Sequence, residues 1–260
     1  MNLDIYYIDA FTDKQFAGNP AAVIFSELAD ESIMQNIAAE NNLSETVFIN
    51  LETSPYTIKW FSPKCEVSLC GHATLAAAYV YFKYIDQSKE IIDFISASGD
   101  ISVIKKNDMY YLDFPRDNYV LIDAIEKIKN ITAVTPSYTF LGDINMMAVF
   151  KDENEIRSID PNIDSLLNLE GQGLIVTSRG HDCDFVSRYF CPKYGIAEDP
   201  VTGSAHTTLI PYWSKVLNKD ELHAKQLSHR GGELFCKNKI DRVSIGGKAV
   251  LYMKGQINIS

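Results

Sequence analysis

Two short segments place backbone N–H groups and small polar side chains where an anion could bind. Gly71-His72-Ala73 and Gly203-Ser204-Ala205 each open an apolar stretch with helical character. The first N–H groups of a helix lack intrahelical partners and lie at the positive end of its dipole, and a glycine there lets a ligand approach the backbone. Tight turns would use the same glycines; two such openings converging on one cleft would instead suit a small carboxylic acid. Glu45 lies between a helix and a strand, flanked by Leu43, Val47 and Phe48, where a carboxylate suits general acid or base work as well as capping. In Glu198-Asp199-Pro200-Val201-Thr202-Gly203-Ser204, Asp199 and Ser204 are able to cap the second helix or to orient a ligand. His72 stands at the first helix start, where the dipole is expected to lower its pKa and favour the neutral imidazole.

The elements that must position these residues follow from periodicity. LDIYYIDAF reads as a strand, and FAGNPAAVIF passes through a Gly-Asn-Pro turn into another. Asp30 is placed to cap a helix running to about Asn41, and strands are expected at Thr46 to Asn50 and Tyr56 to Phe61. From His72 to Phe82 an Ala-rich apolar run without any charge predicts a helix buried on nearly all sides. ISVIKKNDMYYLDF is a hairpin, and the polar stretch at Pro115 to Asn118 marks a domain boundary. Beyond it come MMAVF, an acidic helix around Asp160 to Leu169, strands LIVTS and DFVSRYF, and a helix from Ser204 to about Leu217. The ending VSIGGKAVLYMKGQINI reads as strand, Gly-Gly turn, strand.

The halves resemble each other. TIKWFSPK precedes the first glycine-opened helix and VSRYFCPK the second, with Phe61 ten positions before Gly71 and Phe190 thirteen before Gly203. Duplicated halves place equivalent loops face to face, which makes the space between them a natural ligand site.

Composition narrows the function. With 260 residues, 46% of them hydrophobic, the chain has material for one large domain or two smaller ones. Acidic residues outnumber basic ones 34 to 24, which removes a global attraction to phosphate backbones, so nucleic acid is not an expected partner. No stretch has the length and apolarity of a membrane span, and MNLDIYYID does not read as a signal peptide, so neither membrane nor export is expected. Five cysteines (Cys65, Cys70, Cys183, Cys191 and Cys236), an odd count without CxxC spacing, suit a reducing cytoplasm. His181-Asp182-Cys183 is a weak metal pattern, and no dinucleotide fingerprint, Walker loop, HExxH or GxSxG occurs, so neither metal nor cofactor is expected.

In order along the chain, Gly18-Asn19-Pro20-Ala21-Ala22-Val23, Asn42-Leu43-Ser44-Glu45-Thr46, Leu69-Cys70-Gly71-His72-Ala73-Thr74 and the Glu198 to Ala205 segment resemble the motifs of the phenazine biosynthesis PhzF-like family. That resemblance implies an α+β fold of the diaminopimelate epimerase type. Two similar domains, each a barrel-like sheet around a central helix, would be related by a pseudo-twofold axis with the active site between them. Their expected extents are 1–115, completed by strand from about 248–260, and 116–247.

The resemblance further implies a homodimer and a cofactor-independent isomerase of a small carboxylate. Glu45 would be its acid/base, with His72, Asp199 and Ser204 supporting. Asn19, Ser44, Gly71, Ala73, Thr202 and Gly203 are the expected substrate-binding positions. Related epimerases and racemases use two thiols; Cys70 is similar to the first, and matching Thr202-Gly203-Ser204 to the second motif puts Pro200 where the other would stand. An epimerase or racemase pairing Cys70 with Glu45 is one alternative, and a non-catalytic metabolite-binding protein another.

Overall fold

The computed structural model describes residues 1–28 and 30–259; Ser260, the last residue assigned above to the first domain, lies outside the described residues. The chain divides into two compact units, Met1–Asp113 with Gly246–Ser260, and Phe114–Ile245. No helix among the described residues is long and apolar enough to cross a membrane.

The first unit opens with β1 (Asn2–Ala10) and β2 (Asn19–Phe25), followed by α1 (Glu31–Asn41), β3 (Glu45–Asn50), β4 (Tyr56–Phe61) and β5 (Glu66–Val67). Then come α2 (Gly71–Val80), extended by a π-helical turn Tyr81–Ile85, and β6 (Ile91–Ser96), β7 (Gly99–Lys106) and β8 (Met109–Pro115). Asp30 caps α1 by accepting from Ser32 N, and Asn42 ends it in the left-handed region. Alternate residues of the sheet face opposite sides: Ala22, Ile24, Phe48 and Phe61 pack with Met34, Ile37 and Ala38 of α1. On the other side α2 packs against β1, β2 and β3, and all ten of its residues are buried. Covering on both faces is why NPAAVIF is an almost unbroken apolar run rather than an alternating one.

The second unit holds β9 (Tyr119–Ile122), α3 (Ile125–Thr132), β10 (Tyr138–Gly142), β11 (Met146–Val149), α4 (Glu153–Ser158) and α5 (Ile163–Leu166). These are followed by β12 (Leu174–Arg179), β13 (Phe185–Phe190), β14 (Glu198–Asp199), α6 (Gly203–Leu217), β15 (Glu221–Gln226), β16 (Gly232–Asn238) and β17 (Arg242–Gly247). A last strand, β18 (Ala249–Asn258), pairs with β1 in the first unit. The acidic helix anticipated over Asp160 to Leu169 shrinks to the single turn of α5, capped by Asn162, which accepts from Ser165 N. Helices α3 and α4 and strands β15 and β16 were not anticipated, although Ile125, Ile128 and Ile131 of α3 recur at helical spacing and β15 alternates in burial. Gly246 and Gly247 belong to β17 rather than to a turn. A Cβ on Gly247 would lie 2.4 Å from the Phe11 ring, so close packing is what demands glycine there.

The repeat seen in sequence is a repeat of topology. In the first unit β1 and β2 are antiparallel, β2 and β3 parallel, β4 antiparallel to β3 and β5, and β6 parallel to β4 and antiparallel to β7. Strands β10 to β16 repeat that pattern step for step. Phe61 pairs with Glu66 as Phe190 pairs with Glu198, after which the two chains run in register to the helix starts. The three extra positions of the second half therefore lie between β13 and β14, where Pro192–Tyr194 forms a 3-10 turn.

Helix α6 carries Pro211 in its interior. Proline has no N–H to offer the carbonyl four residues back, and that carbonyl, of Thr207, accepts instead from Asp117 N at 3.3 Å. Asp117 Oδ2 also accepts from Thr208 Oγ1 at 2.5 Å, so the segment after β8 is bonded to the proline-relieved turn. One turn earlier, His206 Nδ1 lies 2.7 Å from Thr202 O while Nε2 is buried without a partner. Burial pushes the His206 pKa down to about 4. An unfolded histidine titrates near about 6.5, so His206 stabilises the fold fully above that value, and the stability is lost as pH falls towards the folded value. Thr74 occupies the equivalent place in α2 and donates to Cys70 O. Urea unfolding should show His206→Thr losing roughly 2–3 kcal/mol less than wild type between pH 7 and pH 4.5. Equal losses in both proteins would show that His206 is not the source of the acid sensitivity.

Candidate active site

In the first unit four of the predicted residues, Asn19, Glu45, Cys70 and His72, come together from three elements. Asn19 opens β2, Glu45 opens β3, and the parallel pairing Ala21↔Glu45 sets those strand ends side by side. Gly18 makes the entry to β2 possible: it has φ +66°, and a Cβ there would sit 2.2 Å from Ala10 O. His72 lies in the first turn of α2, buried, with Nε2 3.1 Å from Glu45 Oε2 and Nδ1 3.0 Å from Asn19 Nδ2. The Glu45–His72 approach is at ion-pair distance without hydrogen-bond alignment. Cys70, at the N-cap, places its sulfur 3.5 Å from His72 Nδ1.

This arrangement reverses the expectation for His72. Burial opposes its charge, yet the adjacent Cys70 sulfur and Glu45 carboxylate outweigh that effect, and its pKa lies well above the ordinary value rather than below it. Burial pushes the Cys70 thiol up to about 11. A neutral imidazole protonated on Nε2 accepts from Asn19 Nδ2; imidazolium requires the amide oxygen there instead. Donor atoms of Glu45, Cys70 and His72 lie within 4.8 Å of one another, a set a metal could use by distance. The sulfur, however, enters as a protonated thiol and not as a preformed thiolate ligand. His181, Asp182 and Cys183 make no such set: His181 N donates to Glu153, Asp182 pairs with Lys225, and Cys183 Sγ donates to Phe185 O.

Of the other first-unit positions, Ser44 lies half-buried in the turn before Glu45. Gly71 and Ala73 are buried in the first turn of α2, and the fully buried Ala73 methyl leaves only its backbone to meet a ligand.

In the second unit Asp199, Thr202, Gly203 and Ser204 form one continuous start to α6. Thr202 Oγ1 donates to Asp199 Oδ2 at 2.5 Å, and Gln226, which sequence reasoning missed, bonds to both residues. Ser204 Oγ has no intramolecular partner among the described residues, and its carbonyl accepts from Thr207 Oγ1. Neither helix is capped by its N-cap side chain, Cys70 in α2 and Thr202 in α6. That equivalence corrects the placement of the second thiol position: in register it is Thr202, two residues beyond Pro200, and a hydroxyl stands where Cys70 has sulfur. A cavity of about 400 Å³ on this unit, lined by Arg116, Tyr119, Lys215 and Asn238 among others, contains none of the predicted residues.

A folded-state pKa raised by the Cys70 sulfur and Glu45 means that His72 contributes stability fully below about pH 6.5 and loses it as pH rises through the folded value. Thermal unfolding of wild type and His72→Asn between pH 6 and pH 9 should therefore show a gap in Tm that narrows with rising pH. A constant gap would remove the ion pair from the account.

Comparison with known proteins agrees with these features. The model of the family described as phenazine biosynthesis-like protein matches residues 8–255. An uncharacterized isomerase of Pseudomonas aeruginosa is 44% identical, with all of both chains covered. A crystal structure of a PhzF-family phenazine biosynthesis protein from Enterococcus faecalis superposes with a TM-score of 0.96 at 46% identity, again over the whole of both chains. A hydroxyproline epimerase from Agrobacterium vitis, only 8% identical, shares the fold with a TM-score of 0.63 over 98% of this chain and 92% of its own. A two-unit α+β fold with matching topology in each half, and relatives alike along their full length, lead to one assignment: the chain belongs to the phenazine biosynthesis-like PhzF family.

Proposed function

We propose that this protein is a cofactor-independent isomerase of a small carboxylic acid, in which Glu45 removes a carbon-bound proton and returns it to another carbon of the same molecule. The observation that carries the reading is the Glu45 carboxylate 3.1 Å from a buried His72, at the start of a helix whose N-cap side chain leaves its first N–H groups uncapped. Family relatives named as isomerases support the reaction class. The uncapped helix starts would offer N–H groups to the substrate's carboxylate. Glu45 would take the proton, the electron pair would delocalise into the adjacent unsaturated system, and reprotonation by the same carboxyl would complete the shift with no net loss of atoms. His72 would steady the carboxylate while it is charged; Asp199 and Ser204, with Thr202, Gly203, Asn19, Ser44 and the Gly71 and Ala73 backbone, would orient the substrate. A homodimer, on the strength of the family resemblance, in the reducing cytoplasm that suits five free cysteines completes the proposal.

An epimerase using Cys70 and Glu45 is less well supported, because burial holds Cys70 as a thiol up to about pH 11 and its counterpart is Thr202. A non-catalytic binding protein would have no need of a carboxylate beside a buried histidine.

The test is NMR-detected deuterium incorporation from heavy water into a panel of small cyclic, unsaturated and amino carboxylic acids. Wild type should label at least one acid, and Glu45→Gln, nearly isosteric but unable to accept a proton, should lose at least about 100-fold in rate. Labelling by Glu45→Gln within a few-fold of wild type would rule Glu45 out as the base, and no labelling of any acid would favour the binding protein. Cys70→Ala should stay within a few-fold of wild type; a loss matching that of Glu45→Gln would restore the thiol epimerase.

A further inference from the structure

Gln226, the last residue of β15, is 1% exposed and saturates its side chain on the segment that opens α6. Its Oε1 accepts from Thr202 N at 2.9 Å. Its Nε2 donates to Asp199 O at 2.8 Å and to Thr202 Oγ1 at 3.1 Å. Because Thr202 Oγ1 accepts from Gln226, its single proton is directed at Asp199 Oδ2, which it meets at 2.5 Å. One amide thus sets the backbone of Asp199, the N-cap backbone of the helix and the direction of the hydroxyl on the carboxylate.

The repeat separates this role from ordinary loop fastening. Counting from the parallel pairings Tyr56↔Phe94 and Phe185↔Ala224, Ser98 is equivalent to Ser228 and Ser96 to Gln226. The two serines do the same thing: Ser98 Oγ donates to Ser68 O and Ser228 Oγ to Pro200 O, each at 2.8 Å, the acceptor lying two residues before the N-cap. The other pair differs. Ser96 bonds within its own hairpin, to Gly99 O, whereas Gln226 reaches across to the helix start. The residue in register with Asp199 in the first unit is Val67, so the reaching amide is present in the unit that carries the carboxylate and replaced in the unit that does not.

We infer that Gln226 is a positioning residue, which aims the Asp199 carboxylate through Thr202, while Ser228 is a structural staple common to both units. The catalytic part of this inference rests on the isomerase reading; the positional part does not. The test titrates the Asp199 carboxyl carbon by NMR, its signal identified by its loss in Asp199→Asn, in wild type, Gln226→Met and Ser228→Ala. Gln226→Met should raise the Asp199 midpoint by at least about half a pH unit, since the hydroxyl is freed to turn away from the carboxylate. Ser228→Ala should leave the midpoint in place and lower only Tm. If Gln226→Met does not fold, Gln226→Asn, neutral and too short to reach Thr202 Oγ1, is read in the same titration.

For whichever acid shows Glu45-dependent labelling, Gln226→Met should lower kcat at least about tenfold with a smaller change in KM. An Asp199 midpoint unmoved by the Gln226 variant, or moved as far by Ser228→Ala, would overturn the inference. If wild type labels no acid, the isomerase reading fails, and the titration alone decides for or against the clamp.

Discussion

Enclosing a helix on every side is the constraint from which most of this molecule follows. All ten residues of α2 are buried, and solvent cannot satisfy the first N–H groups of a helix placed in that way. Small side chains let the sheet come close: Ala73, Ala76, Ala77 and Ala78 are buried completely. The same closeness confines polar residues to the helix start, where His72, Asn19 and Glu45 meet. Polar groups gathered there interact strongly because little water screens them. The buried histidine and its carboxylate partner are thus a consequence of how the helix is housed.

Repetition of the topology makes the differences between the units informative. The N-cap and first-turn positions are Cys70 and His72 in one unit and Thr202 and Ser204 in the other. The first pair titrates; the second does not. Helix α6 also has Pro211 and a buried His206; Asp117 N answers the Thr207 carbonyl and Thr202 O answers His206 Nδ1, while His206 Nε2 stays without a partner among the described residues. A shared architecture has therefore been given an ionisable start in one half and a hydroxyl-lined start in the other, which fits proton transfer from a single base better than an opposed pair of thiols.

Ion pairs elsewhere serve the frame. Arg188 holds Glu198 bidentately and donates to the carbonyls of Ile156 and Ile159, tying β13 and β14 to the end of α4. Glu153, itself buried, accepts from Arg157 and from His181 N, which fastens the His181 loop to α4. Such contacts settle where loops run, and the sequence shows the charges without showing their partners.

Periodicity and turn chemistry were enough to place β1 to β4, α1, α2, the β7–β8 hairpin, β12, β13 and α6, since each has an apolar face or a capping residue of its own. The duplication was legible from Phe-x-Pro-Lys and the two Gly-polar-Ala openings, and the motifs around Asn19, Glu45, His72 and Asp199 carried the family. What sequence could not supply was anything set by residues far apart in the chain. The sign of the His72 shift depended on the Cys70 sulfur together with Glu45, which is 27 positions earlier in the chain and lies at 3.1 Å. The equivalence of Cys70 with Thr202 depended on strand register. Gln226, an unremarkable polar residue at the end of a strand, acquired its role from bonds to Asp199 and Thr202 across more than 20 positions. Local pattern determines which elements form, because propensity and capping act within a few residues. Electrostatic and hydrogen-bond partners are decided only when the sheet closes around the helices and brings distant strand ends together.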